Sequence, residues 1–228
     1  MSKYIRQLIA QGENQHLDFK FEISDAKKIA RTFSAFANTE GGTLLIGVKD
    51  NGNIAGIRTD EEAYMIESAA HIFCKPKVEY TIKPWNIEGK TILEVTVNPS
   101  KLRPHQAPWK DNLWRAFVRL KDENFVANAV QVDVWKKLRS GRGSMVKYKI
   151  PEEKLLSYLR DHDEITLRQF CKLCKINYPT AKKILVNLIA IGIISIHFTE
   201  NSASYRLNSV SSTETHFDHS HSEASGLR

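Results

Sequence analysis

The chain has little of what disulfide scaffolds, zinc modules and membrane proteins are built from. Its 228 residues include three cysteines, Cys74, Cys171 and Cys174. That number and spacing give no disulfide framework and point to a reducing, cytoplasmic setting. Cys171 and Cys174 form a C-x-x-C with Leu173 between them, but no second pair of ligands stands nearby, so packing rather than zinc is expected there. No apolar run reaches the roughly 18 residues that a bilayer crossing needs, and no signal peptide is visible, so no membrane partner is expected. There is no internal repeat. Gly42 to Gly47 has the glycine spacing of a phosphate loop, yet Val48-Lys49 follows where Lys-Ser or Lys-Thr is required, which argues against an ATPase. Acidic residues are also missing from the whole stretch Ile165 to Thr199.

What is present is positive charge. Lysine and arginine number 33 against 26 acids, a net +7, which favours polyanionic partners such as DNA or RNA. The length suits one ordinary domain plus a small one. Arg139-Ser140-Gly141-Arg142-Gly143-Ser144 interrupts the hydrophobic periodicity on both sides, so the domains are expected at 1–138 and 150–207, joined by a basic linker at 139–149. Residues 208–228, with His216, His219 and His221 among serines, read as a disordered tail.

The first block reads as mixed α and β. Leu17, Phe19 and Phe21 alternate with Asp18 and Lys20, the period of a strand with one buried face, which places Asp18 and Lys20 together on the other. Asp25 or Ser24 caps a helix carrying Ile29, Phe33, Phe36 and Ala37 and ending near Asn38, before a turn at Gly41-Gly42. Leu44 to Val48 is a short continuous apolar run, as in a central strand, and Asn51-Gly52 is a hairpin turn. A helix over Glu61 to Phe73, a hairpin from Val78 to Val97 turning near Glu88-Gly89, a strand from Trp114 to Leu120 and a helix near Gln131 to Leu138 complete the block. Arg115 and Arg119 lie four apart on that strand and share a face, so they are candidates to track a nucleic-acid backbone. His105 follows Pro104 in a polar loop and is expected to be exposed.

Chemistry, if any, centres on the segment from Gly12 to Asp50. Glu13, Asp18 and Asp50 place carboxylates around a buried strand, with Lys20 beside Asp18. Such a group suits hard Mg²⁺ or Mn²⁺, and Lys20 suits a phosphate or its transition-state charge. The ordinary alternative is a set of surface acids paired to Lys20.

Two runs, Glu13 to Lys20 and Ser34-Ala35-Phe36-Ala37-Asn38-Thr39-Glu40-Gly41-Gly42-Thr43-Leu44-Leu45-Ile46-Gly47-Val48-Lys49-Asp50, resemble the Schlafen AlbA_2 family, also called divergent AAA-4. Its pattern is E-x4-E-F-K followed by S-A-F-A-N-T-x-G-G-x-L-L-I-G-V-x-D, and the likeness extends over about residues 1–138. The resemblance implies an acidic triad that cuts RNA, carried here by Glu13, Asp18 and Asp50. Asp18 stands where the family has Glu, a side chain one methylene shorter. It also implies a Y-x-R element, met here by Phe117 and Arg119, and dimers or larger assemblies, which makes a homodimer a candidate state.

The second block has a simpler pattern. Leu155, Leu156 and Leu159 mark one helix, Thr166 caps a second running through Cys174, and Pro179 sits in the first turn of a third that ends at Gly192. Two short strands around Glu200-Asn201-Ser202 come next, and the order resembles a winged helix-turn-helix. Arg168, Lys172, Lys175, Lys182 and Lys183 form a basic stripe, with Asn177, Tyr178, Thr180 and Lys183 at the front of the third helix, suited to a duplex.

The fold expected is α+β: an AlbA_2-like domain followed by a winged helix. The favoured function is a nucleic-acid-binding protein, a DNA-binding transcriptional regulator. The alternative is a metal-dependent endoribonuclease acting on tRNA or other RNA. A protein-interaction adaptor is the third class considered.

Overall fold

The computed structural model describes residues 2–59, 61–110, 113–141, 149–199 and 202–208. The expected linker therefore lies mostly outside the described residues, as do the tip of the last hairpin and the histidine-bearing tail. The architecture is α+β.

The alternating pattern of the first block builds a four-stranded sheet in the order β1-β2-β4-β3, from β1 (Leu17–Lys20), β2 (Gly42–Ile46), β3 (Thr81–Ile87) and β4 (Lys90–Val97). β1 and β2 run parallel, with Asp18 level with Leu44, and the other pairings are antiparallel. Both faces are covered, which explains why β2 reads as an unbroken apolar run. Leu44, Ile46, Val95 and Val97 pack against α2 (Ala26–Asn38) and α3 (Glu61–His71). Leu17, Phe19, Leu45 and Ile92 pack on the other face against Ile5 of α1 (Ser2–Ala10).

A second sheet, β5-β6-β7, is made from β5 (Gln106–Pro108), β6 (Trp114–Leu120) and β7 (Glu123–Val126). It packs on the far side of α2, with Phe117 in the same core as Phe33 and Phe36. Lying between two sheets, α2 is buried on more than its expected apolar stripe: Thr32, Ser34 and Asn38 are enclosed as well. Asp25 caps it, accepting the Lys27 N–H at 2.8 Å. The turn after it is fixed by close packing. Gly41 has φ +78°, and a Cβ there would come 2.7 Å from the Val97 carbonyl oxygen; one on Gly42 would enter the Phe36 ring.

α4 (Ala129–Arg139) joins the two blocks. Its Trp135 packs with Ala116 and Val118 of β6, while Val130 and Val134 belong to the core of the second block. That second core is formed by α5 (Ile150–Asp161), β8 (Ile165–Thr166), α6 (Leu167–Cys174), α7 (Tyr178–Ala190), β9 (Ile194–Phe198) and β10 (Ala203–Leu207). The three strands form an antiparallel sheet in the order β8-β10-β9. Thr166 closes a capping box with Gln169 on α6, and Asn177 caps α7 by accepting the Thr180 N–H at 3.0 Å. Cys171 and Cys174 pack against this core.

Candidate functional site

Glu13 and Asp18 meet where the edge strand β1 abuts β6. Glu13 lies in the bend before β1 and accepts the Phe19 N–H at 2.8 Å. Asp18 is 3% exposed, its carboxylate held between two cations. Arg119 Nη2 is 3.1 Å from Oδ1 and Lys20 Nζ is 3.2 Å from Oδ2. The Lys20 ammonium stands off the line a hydrogen bond needs, so Oδ2 has a counter-charge but no hydrogen-bond donor among the described residues. Lys20 Nζ is also 3.8 Å from Glu13 Oε1. Glu13 is raised above its ordinary carboxyl range, first by desolvation; the Phe19 N–H opposes the rise, and the neighbouring Asp18 adds to it.

Arg119 departs from the expectation of an open strand face. It is 3% exposed. Its guanidinium donates to the carbonyls of Asn14 and Leu17 and to Asn124 Oδ1, besides Asp18. It also lies over the Phe36 ring at 5.3 Å. Alternation does place Arg115, Phe117 and Arg119 on one face, but that face is covered by α2 from Phe117 onward. Arg119 is thus a clamp between β6 and β1, closed to a phosphate, and Arg115 alone of the two is exposed. Gln15 completes the clamp, donating to the Arg119 carbonyl at 2.9 Å and accepting the Lys121 N–H at 2.8 Å.

Asp50 is not drawn into this group. It is exposed in the turn after β2, beyond Gly47 and Val48. Among the described residues no three histidine, cysteine, aspartate or glutamate side chains are close enough to hold a metal ion. In this arrangement the donor set for Mg²⁺ or Mn²⁺ is incomplete, because Asp18 is committed to Arg119 and Lys20 and the third carboxylate stands apart.

The central motif from Ser34 to Gly42 is accounted for by packing. Asn38 Nδ2 donates to the carbonyls of His105 and Phe117 at 2.8 and 3.0 Å, and its Oδ1 accepts the His105 N–H at 2.8 Å. Ser34 Oγ donates to the His105 carbonyl at 2.8 Å and accepts the Phe117 N–H at 3.2 Å. These side chains lace α2 to β6 and to the loop before β5. His105, expected on the surface, is 1% exposed. Its Nδ1 lies 2.9 Å from the Pro76 carbonyl and its Nε2 2.7 Å from Ser100 Oγ. Burial lowers its pKa, with Arg103 and Arg139 adding to the effect against the Pro76 hydrogen bond. The loop is polar in sequence, but α2 covers it.

In the second block Arg168, Lys172, Lys175, Asn177, Tyr178, Thr180 and Lys183 are exposed on α6, on α7 and in the turn between them. Lys175 ends α6 in the left-handed conformation, φ 52°. Lys182 differs from the rest of the stripe: it is half-buried, 2.7 Å from Asp133 Oδ2 of α4, and this bond raises its pKa. Tyr178 has a second surrounding that the sequence did not suggest. With Phe125, Asn128, Phe198 and Tyr205 it lines a cleft of about 440 Å³ between the two blocks.

A comparison with curated protein sequences gives no match. Among solved structures, the chain is similar to the DIP2311 protein from Corynebacterium diphtheriae, with 20% identity and a TM-score of 0.44, over 60% of this chain. It spans only 30% of that protein. It is also similar to the N-terminal domain of a RecG-related protein from Nitrosomonas europaea, with 21% identity and a TM-score of 0.38, over 55% of this chain and 95% of that one. The family profile described as Schlafen, AlbA_2 matches residues 13–128, half of the chain, from Glu13 through β1, α2 and both sheets to the residue that caps α4. On that match the chain belongs to the Schlafen AlbA_2 family.

Proposed function

We propose that the protein binds nucleic acid and acts as a DNA-binding regulator, with the second block as a winged helix-turn-helix. The order α5, β8, α6, α7, β9, β10 supports this reading, in which α7 would be the recognition helix and the β9–β10 hairpin the wing. The carrying observation is that α6, α7 and the turn between them bear no acidic residue, and that their exposed Arg168, Lys172, Lys175 and Lys183 form no ion pair among the described residues, although Glu152 of α5 lines the same hollow as Thr180 and Lys183. Such a surface suits phosphates, and Thr180, exposed in the first turn of α7, would contact base edges or sugars, whereas Asn177 is engaged through its Oδ1 in capping the helix. No helix among the described residues is long and apolar enough to cross a membrane.

The test is the salt dependence of binding to duplex DNA, single-stranded DNA and transfer RNA. A regulator prefers one duplex sequence and loses affinity steeply with salt. Equal, weak binding to all three would reject the reading.

The second reading is the metal-dependent endoribonuclease. In its favour is the juxtaposition of Glu13 with a buried Asp18 oxygen that receives no hydrogen bond. Against it is the distance of Asp50 from that pair, so no cleavage step is derived. Labelled transfer RNA incubated with Mg²⁺ or Mn²⁺ decides it: cutting that disappears in Asp50→Ala would establish the nuclease, and intact RNA would leave the acids structural.

A further inference from the structure

The cleft between the two blocks has walls that the fold holds from behind. Phe125 of β7 and Phe198 of β9 pack on the cluster of Ala116, Val118 and Trp135, while Leu167 and Tyr205 pack in the core of the second block. Tyr178, the first residue of α7, is the most exposed of the rings at 52%. With Asn128, the cap of α4, these residues line about 440 Å³, and all of them lie within the described residues. That size, and walls of rings with a few polar groups among them, are those of a small-molecule pocket. No charged side chain lines the cleft among the described residues.

Two donors in these walls lack an acceptor. Tyr205 is 2% exposed, and its hydroxyl makes no hydrogen bond among the described residues. A buried hydroxyl is normally paired. This one is not sealed in, and the open space beside it is the cleft that the residue lines. Burial, with the nearby Tyr178 phenol adding to it, raises the Tyr205 pKa, so the group keeps its proton and stays a donor. Asn128 supplies the second donor. Its Oδ1 accepts the Gln131 N–H at 2.8 Å, which fixes the amide and leaves Nδ2 without a hydrogen bond among the described residues. We propose that the cleft binds a small uncharged molecule with a flat aromatic body and a carbonyl oxygen, the body lying among the rings and the oxygen accepting from Tyr205 and Asn128. A phosphate, a nucleotide or an ammonium compound would enter without a counter-charge, and a body with no acceptor would leave both donors unpaired. The occupant touches Phe125 and Asn128 of the first block and Leu167, Tyr178 and Tyr205 of the second, so it ties the two together. Tyr178 alone among these is a candidate for duplex contact, so the site stands whether or not α6 and α7 bind DNA.

The test is calorimetric titration of the full chain with coumarin and with methyl naphthyl ketone, two flat, uncharged compounds that carry a carbonyl. At least one is expected to bind saturably, one molecule per chain, with Kd below about 0.1 mM. Tyr205→Phe removes only the unpaired oxygen, so it melts with the parent, and it weakens binding about fivefold, the worth of one hydrogen bond. Naphthalene, flat but without an acceptor, binds the parent and Tyr205→Phe alike. Ala129→Trp, at an exposed position on the cleft wall, fills the space and abolishes binding of either carbonyl compound. That variant decides the matter if Tyr205→Phe fails to fold. Lys172→Gln with Lys183→Gln keeps the site apart from the duplex reading: it leaves binding of the carbonyl compounds as it was, whatever it does to DNA. Failure of both compounds to bind, or affinity unchanged in Tyr205→Phe or in Ala129→Trp, would overturn the proposal.

Discussion

Arg119 on β6 sets Nη2 3.1 Å from Asp18 Oδ1 on β1, with both side chains closed to solvent. The pair ties the edge of the first sheet to the middle of the second. Arg119 adds hydrogen bonds to the carbonyls of Asn14 and Leu17, so the loop bearing Glu13 is held by the same guanidinium. Removing one member of a buried pair strands the other charge, at a cost of about 3–5 kcal/mol. Arg119→Ala is therefore expected to lower the urea midpoint sharply. Arg119→Lys recovers little, because one ammonium cannot span Asn14, Leu17, Asp18 and Asn124 as the planar fork does. If Arg119→Ala unfolds at the parent midpoint, the clamp is not structural.

Asn38 makes the matching connection from α2. Its amide can satisfy its neighbours in one orientation only, with Nδ2 toward the His105 and Phe117 carbonyls and Oδ1 toward the His105 N–H. Asn38→Ala leaves that buried N–H without its acceptor, and the expected loss is roughly 2 kcal/mol or more. Asn38→Asp keeps the acceptor but turns an anion toward two carbonyl oxygens, so it is expected to destabilise at least as much at neutral pH. Thermal melts of the two variants check this. An aspartate variant that melts with the parent would show that the carbonyls are not bonded to this side chain.

Glu13 gives a pH signature. Desolvation raises its pKa in the folded chain above the ordinary 4.5, with Asp18 contributing and the Phe19 N–H opposing. The folded chain then holds a proton that the unfolded chain has released, over a window beginning near 4.5 and extending upward. Stability from this group is present below that window and is lost as pH rises through it. Glu13→Gln, still able to accept the Phe19 N–H, is expected to flatten the stability curve just above pH 4.5 and to be more stable than the parent at neutral pH. Denaturant titrations across this range test it, and parallel curves for the two proteins would refute it.

Much of the fold is legible in the residue pattern. The strand from Trp114 to Leu120 matches β6 end to end, Thr166 caps α6, and Pro179 falls in the first turn of α7 as expected. β5 and β7 leave no such mark. They are three and four residues long, and what makes them strands is the ladder they complete on β6 rather than any periodicity of their own. Alternation shows that Arg115 and Arg119 share a face, but not that α2 covers most of it. Likewise Asp18 reads as the polar face of a half-buried strand until a second sheet closes over it.

The sequence also treats Lys182 and Lys183 as equals, and the fold separates them. Lys182 is committed to Asp133 on α4, whereas Lys183 is exposed with no ion pair among the described residues. If α7 meets a duplex, Lys183→Gln removes one phosphate contact: affinity falls similarly for all sequences, and the slope of log affinity against log salt becomes shallower by about 0.9. Lys182→Gln leaves that slope near its parent value and acts instead on stability, by loosening α7 from α4. Anisotropy titrations at several salt concentrations, paired with melts of the free proteins, distinguish the two. Equal changes of slope in both variants would mean that the bond to Asp133 opens when DNA binds, and that α4 releases α7 in the process.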